Sequence, residues 1–144
     1  MNPSSALLIL TLWLPGADPK DDAKKDLEKM QGTWTVQKLV REGMEMPAEA
    51  TAKMSIEIAK NKMMVHVEGR PGEEAEVVLD PSTKPAQFDF TPTNATDKKV
   101  RKGLYKFEGE TLYLCWTRGG GERPKAFESK PETMVVVFEL KKKK

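Results

Sequence analysis

Apolar residues recur along this chain with two different spacings. Between residues 21 and 30, Ala23, Leu27 and Met30 lie three or four apart, the spacing that places side chains on one face of a helix. Asp21 and Asp22 suit the positive end of such a helix, Lys29 suits its negative end, and Gly32 stops it. From Thr33 onward the spacing falls to two. Trp34, Val36 and Lys38 take one face against Thr33, Thr35 and Gln37. Met54, Ile56 and Ile58 oppose Lys53, Ser55 and Glu57, and Met63, Val65 and Val67 oppose His66 and Glu68. Further strands are predicted over residues 75–79, 87–91, 99–107, 111–117 and 133–140.

The segments between these strands are short and rich in turn formers. Arg41-Glu42-Gly43 turns the chain, residues 44–49 read as an irregular link, and Asn61-Lys62 marks a hairpin bend. Gly69-Arg70-Pro71-Gly72 reads as a strong turn, Asp80-Pro81-Ser82 ends a strand, and residues 92–97 form a polar link. Glu108-Gly109-Glu110 joins the clearest hairpin. Only residues 118–131, with three consecutive glycines, make a long connection. Such links permit antiparallel neighbours and leave no room for the crossover helices of a parallel sheet. The predicted fold is all-β: an eight-stranded antiparallel barrel with a short N-terminal helix. Closing the meander removes both exposed edges. A two-sheet sandwich is the alternative that the pattern leaves open.

An uncharged apolar run over residues 6–14, Ala-Leu-Leu-Ile-Leu-Thr-Leu-Trp-Leu, precedes all of this. It is too short for a stable bilayer span, which needs about 20 residues, and suits the apolar centre of a secretory signal. Pro15-Gly16-Ala17 supplies a break and a small residue for cleavage. The expected organisation is a signal over residues 1–17, helix and link over 18–31, barrel over 32–140 and a basic tail over 141–144, in an extracytoplasmic, monomeric protein.

Composition narrows the function more than it identifies it. The chain has 144 residues, 38% hydrophobic and 32% charged, enough for one core. Removing the four terminal lysines from a formal net charge of +2 leaves −2, which argues against nucleic acid as a partner. The single cysteine, Cys115, sits inside an apolar strand and reads as a buried thiol.

Three segments carry a resemblance: Leu27-Glu28-Lys29-Met30-Gln31-Gly32-Thr33-Trp34, Leu112-Tyr113-Leu114-Cys115-Trp116 and Arg123-Pro124-Lys125-Ala126-Phe127-Glu128-Ser129. With Asp80-Pro81-Ser82-Thr83-Lys84-Pro85 and Phe90-Thr91-Pro92, the chain resembles a family of small uncharacterised domains abundant in planctomycete bacteria, which looks like a relative of the lipocalins. The resemblance spans residues 26–140. It implies that Gly32-Thr33-Trp34 opens the barrel, that Trp34 plugs its closed end, and that an arginine near the last strand covers the indole. Arg123 is the first choice for that arginine and Arg118 the second. The family has no agreed activity, so the resemblance implies a fold and not a reaction.

The face expected to line the barrel comprises Met54, Ile56, Val65, Val67, Phe88, Phe90, Tyr105, Leu114 and Trp116. With Trp34, Arg118 and Arg123 these are the candidate ligand contacts, and an open interior would take a small apolar or amphipathic ligand. Packed solid, the domain would instead serve as a structural or protein-interaction module of the cell envelope. His66 is the only histidine, placed to share a strand face with Glu68, and the two make neither a metal set nor a catalytic one. Glu73, Glu74 and Glu76 lack calcium-loop spacing, and Gly119-Gly120-Gly121 lacks the phosphate-loop pattern. No catalytic residue, metal or cofactor is expected.

Overall fold

The computed structural model describes residues 19–143. The apolar run assigned to a signal and the last lysine of the tail lie outside the described residues. Helix α1 (Pro19–Met30) leads into β1 (Gly32–Arg41). A two-residue strand β2 (Met44–Glu45) and a single helical turn α2 (Ala48–Thr51) follow. Then come β3 (Met54–Ala59), β4 (Lys62–Val67), β5 (Arg70–Asp80), β6 (Ala86–Pro92), β7 (Arg101–Glu108), β8 (Thr111–Thr117) and β9 (Val135–Lys142).

Every strand pairs antiparallel with its neighbour in the order β1-β3-β4-β5-β6-β7-β8-β9. β9 then pairs back onto β1 from Trp34↔Lys142 to Arg41↔Val136, so these strands close a barrel. β2 is an extra outer strand, paired with β1 at Val40 and Arg41. The alternative of two separate sheets is thereby excluded.

The two-residue period holds along most of the barrel because each inward side chain meets others from across it. Ile56, Leu112 and Leu140 are wholly enclosed, and Phe90, Tyr105 and Leu114 nearly so. Phe88 and Phe90 stack with centroids 5.6 Å apart, Trp116 meets both edge-on, and Trp116 stacks on Phe138 at 4.8 Å. These are favourable aromatic geometries, and they fill the centre with side chains.

Where the period breaks, expectation and structure part. A bulge between Val36 and Lys38 shifts the register of β1 on β9. Lys38 therefore points outward, near Glu45, while Leu39 and Arg41 turn inward. The link over residues 44–49 contains β2 and the start of α2. The turn expected at 69–72 is instead made at Glu68-Gly69, because Val67 pairs directly with Arg70 and β5 begins there. His66 accepts no help from Glu68. Its Nε2 lies 3.1 Å from Glu57 Oε1 on the neighbouring strand, and Glu68 faces Lys53.

The residues around the opening motif join helix to barrel. The Gln31 side-chain amide behaves like a piece of strand. Its Nε2 donates to the Lys60 carbonyl at 2.8 Å and its Oε1 accepts from the Lys60 amide at 2.6 Å. Lys60 sits at φ +58 in the β3–β4 turn, so this clamp fixes a left-handed residue. Gly32 has φ +118, a conformation that suits glycine, and the Lys142 stem lies over its open face. Trp34 is buried, and its Nε1 donates to the Met30 carbonyl at 2.8 Å, satisfying one of the unpaired carbonyls at the end of α1. Tyr105 reaches out of the barrel to donate to Asp26 of α1 at 2.6 Å. Met30 is fully buried, with Ala23 and Leu27 packed beside it, so the apolar stripe of α1 closes one end.

Candidate functional site

The opposite end is open. The strand termini there surround a recess of about 390 Å³ lined by Leu39, Met54, Val65, Trp116, Val136 and Phe138, with Arg41, Arg101, Arg118 and Glu73 among its polar residues. Val67, Gly72 and Gly119 complete the lining. Trp116 and Phe138, already stacked on each other, make an aromatic floor. The volume lies within the range of small-molecule sites, which is roughly 300–1,000 Å³.

Three guanidinium groups reach this mouth. Arg101 follows Gly103 and Tyr105 on the inward face of β7 and is largely buried. Its Nη1 donates to the Lys99 carbonyl at 2.7 Å, and its Nη2 lies 3.6 Å from Asp97. Arg41 ends the inward row of β1 beyond the bulge. Arg118 lies 3.5 Å from Glu42, yet its Nε is buried and has no hydrogen-bond partner among the described residues. A buried donor left unpaired costs about 1–3 kcal/mol.

The sequence-derived candidates divide by position. Met54, Val65, Val67, Trp116 and Arg118 meet in the mouth recess. Ile56, Phe88, Phe90, Tyr105 and Leu114 are core residues beneath it and do not line it. Trp34 is at the far, closed end. It is a plug as expected, but neither Arg118 nor Arg123 covers it. Lys142 does so, its Nζ 5.4 Å from the ring centroid. The reason is topological: β9 runs past Trp34 to Lys142, whereas both arginines precede β9 and cannot reach that end.

Arg123 instead works on the outer wall. Its Nη1 donates to Asp89 Oδ1 at 2.7 Å and to the Gly103 carbonyl at 2.9 Å. The segment Arg123-Pro124-Lys125-Ala126-Phe127-Glu128-Ser129 is thus part of a strap across β6, β7 and β8. Ser129 donates to the Val135 carbonyl at 2.7 Å, and Thr117 donates to the Glu122 carbonyl. Leu104 and Cys115 are buried on the outward side of their strands, and Cys115 Sγ lies 3.7 Å from the Ala126 carbonyl of the strap.

Arg41, Arg101, Leu39, Val136 and Phe138 were missed by the sequence reading. For Arg101 the signal existed, since counting back by twos from Tyr105 through Gly103 puts it inside. Arg41 was hidden by the β1 bulge.

Burial pushes the Cys115 thiol up from 9.0 to about 12. The folded state prefers the protonated thiol. Its contribution to stability is therefore complete below pH 9.0 and is lost as pH rises toward about 12. Two results are expected. A disulfide reagent at pH 8 should leave Cys115 unmodified until denaturant is added. The stability gap between wild type and Cys115→Ala, from denaturant midpoints, should narrow as pH is raised above 9.

Among the described residues no group of three His, Cys, Asp or Glu side chains could hold a metal ion, and no helix is long and apolar enough to cross a membrane. Comparison with family models, curated proteins and solved structures finds no match to this chain.

Proposed function

We propose that this chain is an exported, non-enzymatic binding domain with a lipocalin-like barrel, and that it takes a small amphipathic anion at its open end. The observation that carries this reading is the mouth recess itself: a stacked Trp116–Phe138 floor beside three guanidinium groups, one with a buried Nε that has no partner among the described residues. An apolar tail would cover the floor, and a carboxylate or similar head would accept from Arg118. Charge-assisted hydrogen bonds of that kind are the strong ones. The filled barrel centre limits the tail to what the mouth can hold. Export rests on the apolar run over residues 6–14.

Titration with decanoate and decanol, followed by NMR, tests this. Decanoate should bind more tightly and shift the Trp116 and Phe138 resonances. Arg118→Leu should weaken decanoate about tenfold or more and leave decanol unchanged, as loss of one hydrogen bond to a charged group requires. Equal binding of acid and alcohol, or no response at the floor, would remove the proposal.

The packed centre favours a second reading, a protein-interaction module of the envelope. Met44 and Met134 are 71% and 49% exposed near the Arg118–Glu42 pair, the kind of apolar surface a partner would cover. Under that reading a partner protein, not decanoate, would shift the mouth resonances.

A further inference from the structure

The closed end carries a second feature that the mouth site does not use. A hollow of about 520 Å³ lies beside the Trp34 plug, lined by Lys29, Lys141, Lys142 and Lys143 together with Trp34, Phe107, Gly109 and Glu110. Lys29 comes from the last turn of α1, while the other three come from the end of β9 and just beyond, so the topology brings together cations far apart in sequence. All four are exposed. Among the described residues none of the four takes part in an ion pair, although Lys38, Lys53, Lys106 and Lys130 do. Among the described residues Glu110 is the one carboxylate in the lining.

Two of the lysines are held in place. Lys29 Nζ stands 4.0 Å from the half-buried Phe107 ring, and Lys142 Nζ stands over Trp34 with its stem across Gly32. Four like charges in one hollow repel one another, and an anionic partner relieves that repulsion.

We propose that this lysine collar docks the barrel on an anionic phospholipid surface. The side-chain chemistry selects that occupant over a discrete soluble phosphate. Among the described residues the lining contains no arginine, whose planar fork grips a single phosphate bidentately. Lysines are point charges on flexible stems, suited to a diffuse layer of headgroups. The half-buried Phe107 beside them offers an apolar flank to the less polar part of such a surface. The dock is peripheral, and it leaves the mouth at the opposite end facing away from the surface.

Flotation of the full chain with phosphatidylcholine vesicles, with and without phosphatidylglycerol, tests the dock. Comparing the two lipids cancels any contribution that is indifferent to charge. Binding should require phosphatidylglycerol and fall steeply in high salt. Lys29→Gln combined with Lys141→Gln and Lys143→Gln should weaken it on the order of a hundredfold, from the roughly fivefold effect of each lysine near an anionic membrane. Lys62→Gln with Lys102→Gln and Lys125→Gln removes the same charge from exposed positions outside the hollow and should weaken it far less. Circular dichroism checks that both variants are folded. Equal binding to both lipids, equal losses in the two triple variants, or binding of soluble pyrophosphate without vesicle binding would each overturn the proposal.

Discussion

Gly103→Ala should destabilise the domain by about 3 kcal/mol or more, although it adds a single methyl group to a strand. A Cβ at this position would overlap the Cys115 carbonyl oxygen and lie 2.7 Å from the Phe88 ring and 3.0 Å from the Trp116 Cβ. The side chain would point inward, because Gly103 pairs with Trp116 on β8 and with Phe88 on β6. There Phe88, Phe90, Trp116 and Phe138 already occupy the barrel in mutual contact, so no ring can rotate away without displacing the next. The tightest contact is with backbone, which no rotamer change relieves. The outer wall resists as well, since the Gly103 carbonyl accepts from Arg123 of the strap. Domains of this size have total stabilities of only about 5–15 kcal/mol, so the loss would be a large share. Guanidinium unfolding measures it. Gly109→Ala is the comparison: it sits at φ +62 with nothing among the described residues within 4 Å of an added Cβ, and should cost about 1–2 kcal/mol from backbone strain alone. Equal midpoints for the two variants would show that β7 yields to the methyl group and that the close packing is not tight.

Gly103 illustrates what a sequence states and what it conceals. A glycine inside a strand pattern signals a close approach by something else, but not by what. The alternation through Ile56, Val65, Phe88, Phe90, Leu114 and Trp116 was legible because a barrel wall has one inside and one outside, and each of these side chains is either in the core or at the mouth. α1 was legible from three apolar residues, two acids and a following glycine. What failed to show was anything decided by a one-residue slip. The bulge in β1 reverses the faces of Lys38 and Leu39 and sends Arg41 to the mouth, yet the run from Gln37 to Arg41 reads as an ordinary continuation. β2 and α2 are too short to present a period at all. Which cation covers Trp34 depends on how far β9 extends, and the apolar pattern ends at Leu140, two residues before Lys142. The expected ligand cup was half legible: its wall residues were identified, but side-chain volume decides whether a cup is full. Four large rings fill this one and leave only its mouth.

Trp34→Ala should cost about 3–5 kcal/mol, the range for removing a large buried aromatic side chain, and should loosen α1 more than the barrel. The indole performs three tasks at once. It fills the closed end beneath Met30, its Nε1 occupies the Met30 carbonyl at 2.8 Å, and its face receives the Lys142 ammonium. Truncation empties the first, leaves a helix-terminal carbonyl without its donor, and removes the ring that holds Lys142. Trp34→Phe separates these effects, since it keeps most of the apolar volume and a ring face but loses the donor; about 1–2 kcal/mol is expected. Hydrogen exchange locates the damage. In Trp34→Ala the amides of α1 should lose protection first, because Trp34 is one of few ties between helix and wall, alongside Tyr105–Asp26 and the Gln31 clamp on Lys60. The β7–β8 and β8–β9 ladders should exchange at a rate set by global unfolding. A uniform loss of protection across α1 and the barrel would mean that the helix and the wall unfold as one unit, with Trp34 a core residue like any other and not a peg between two parts.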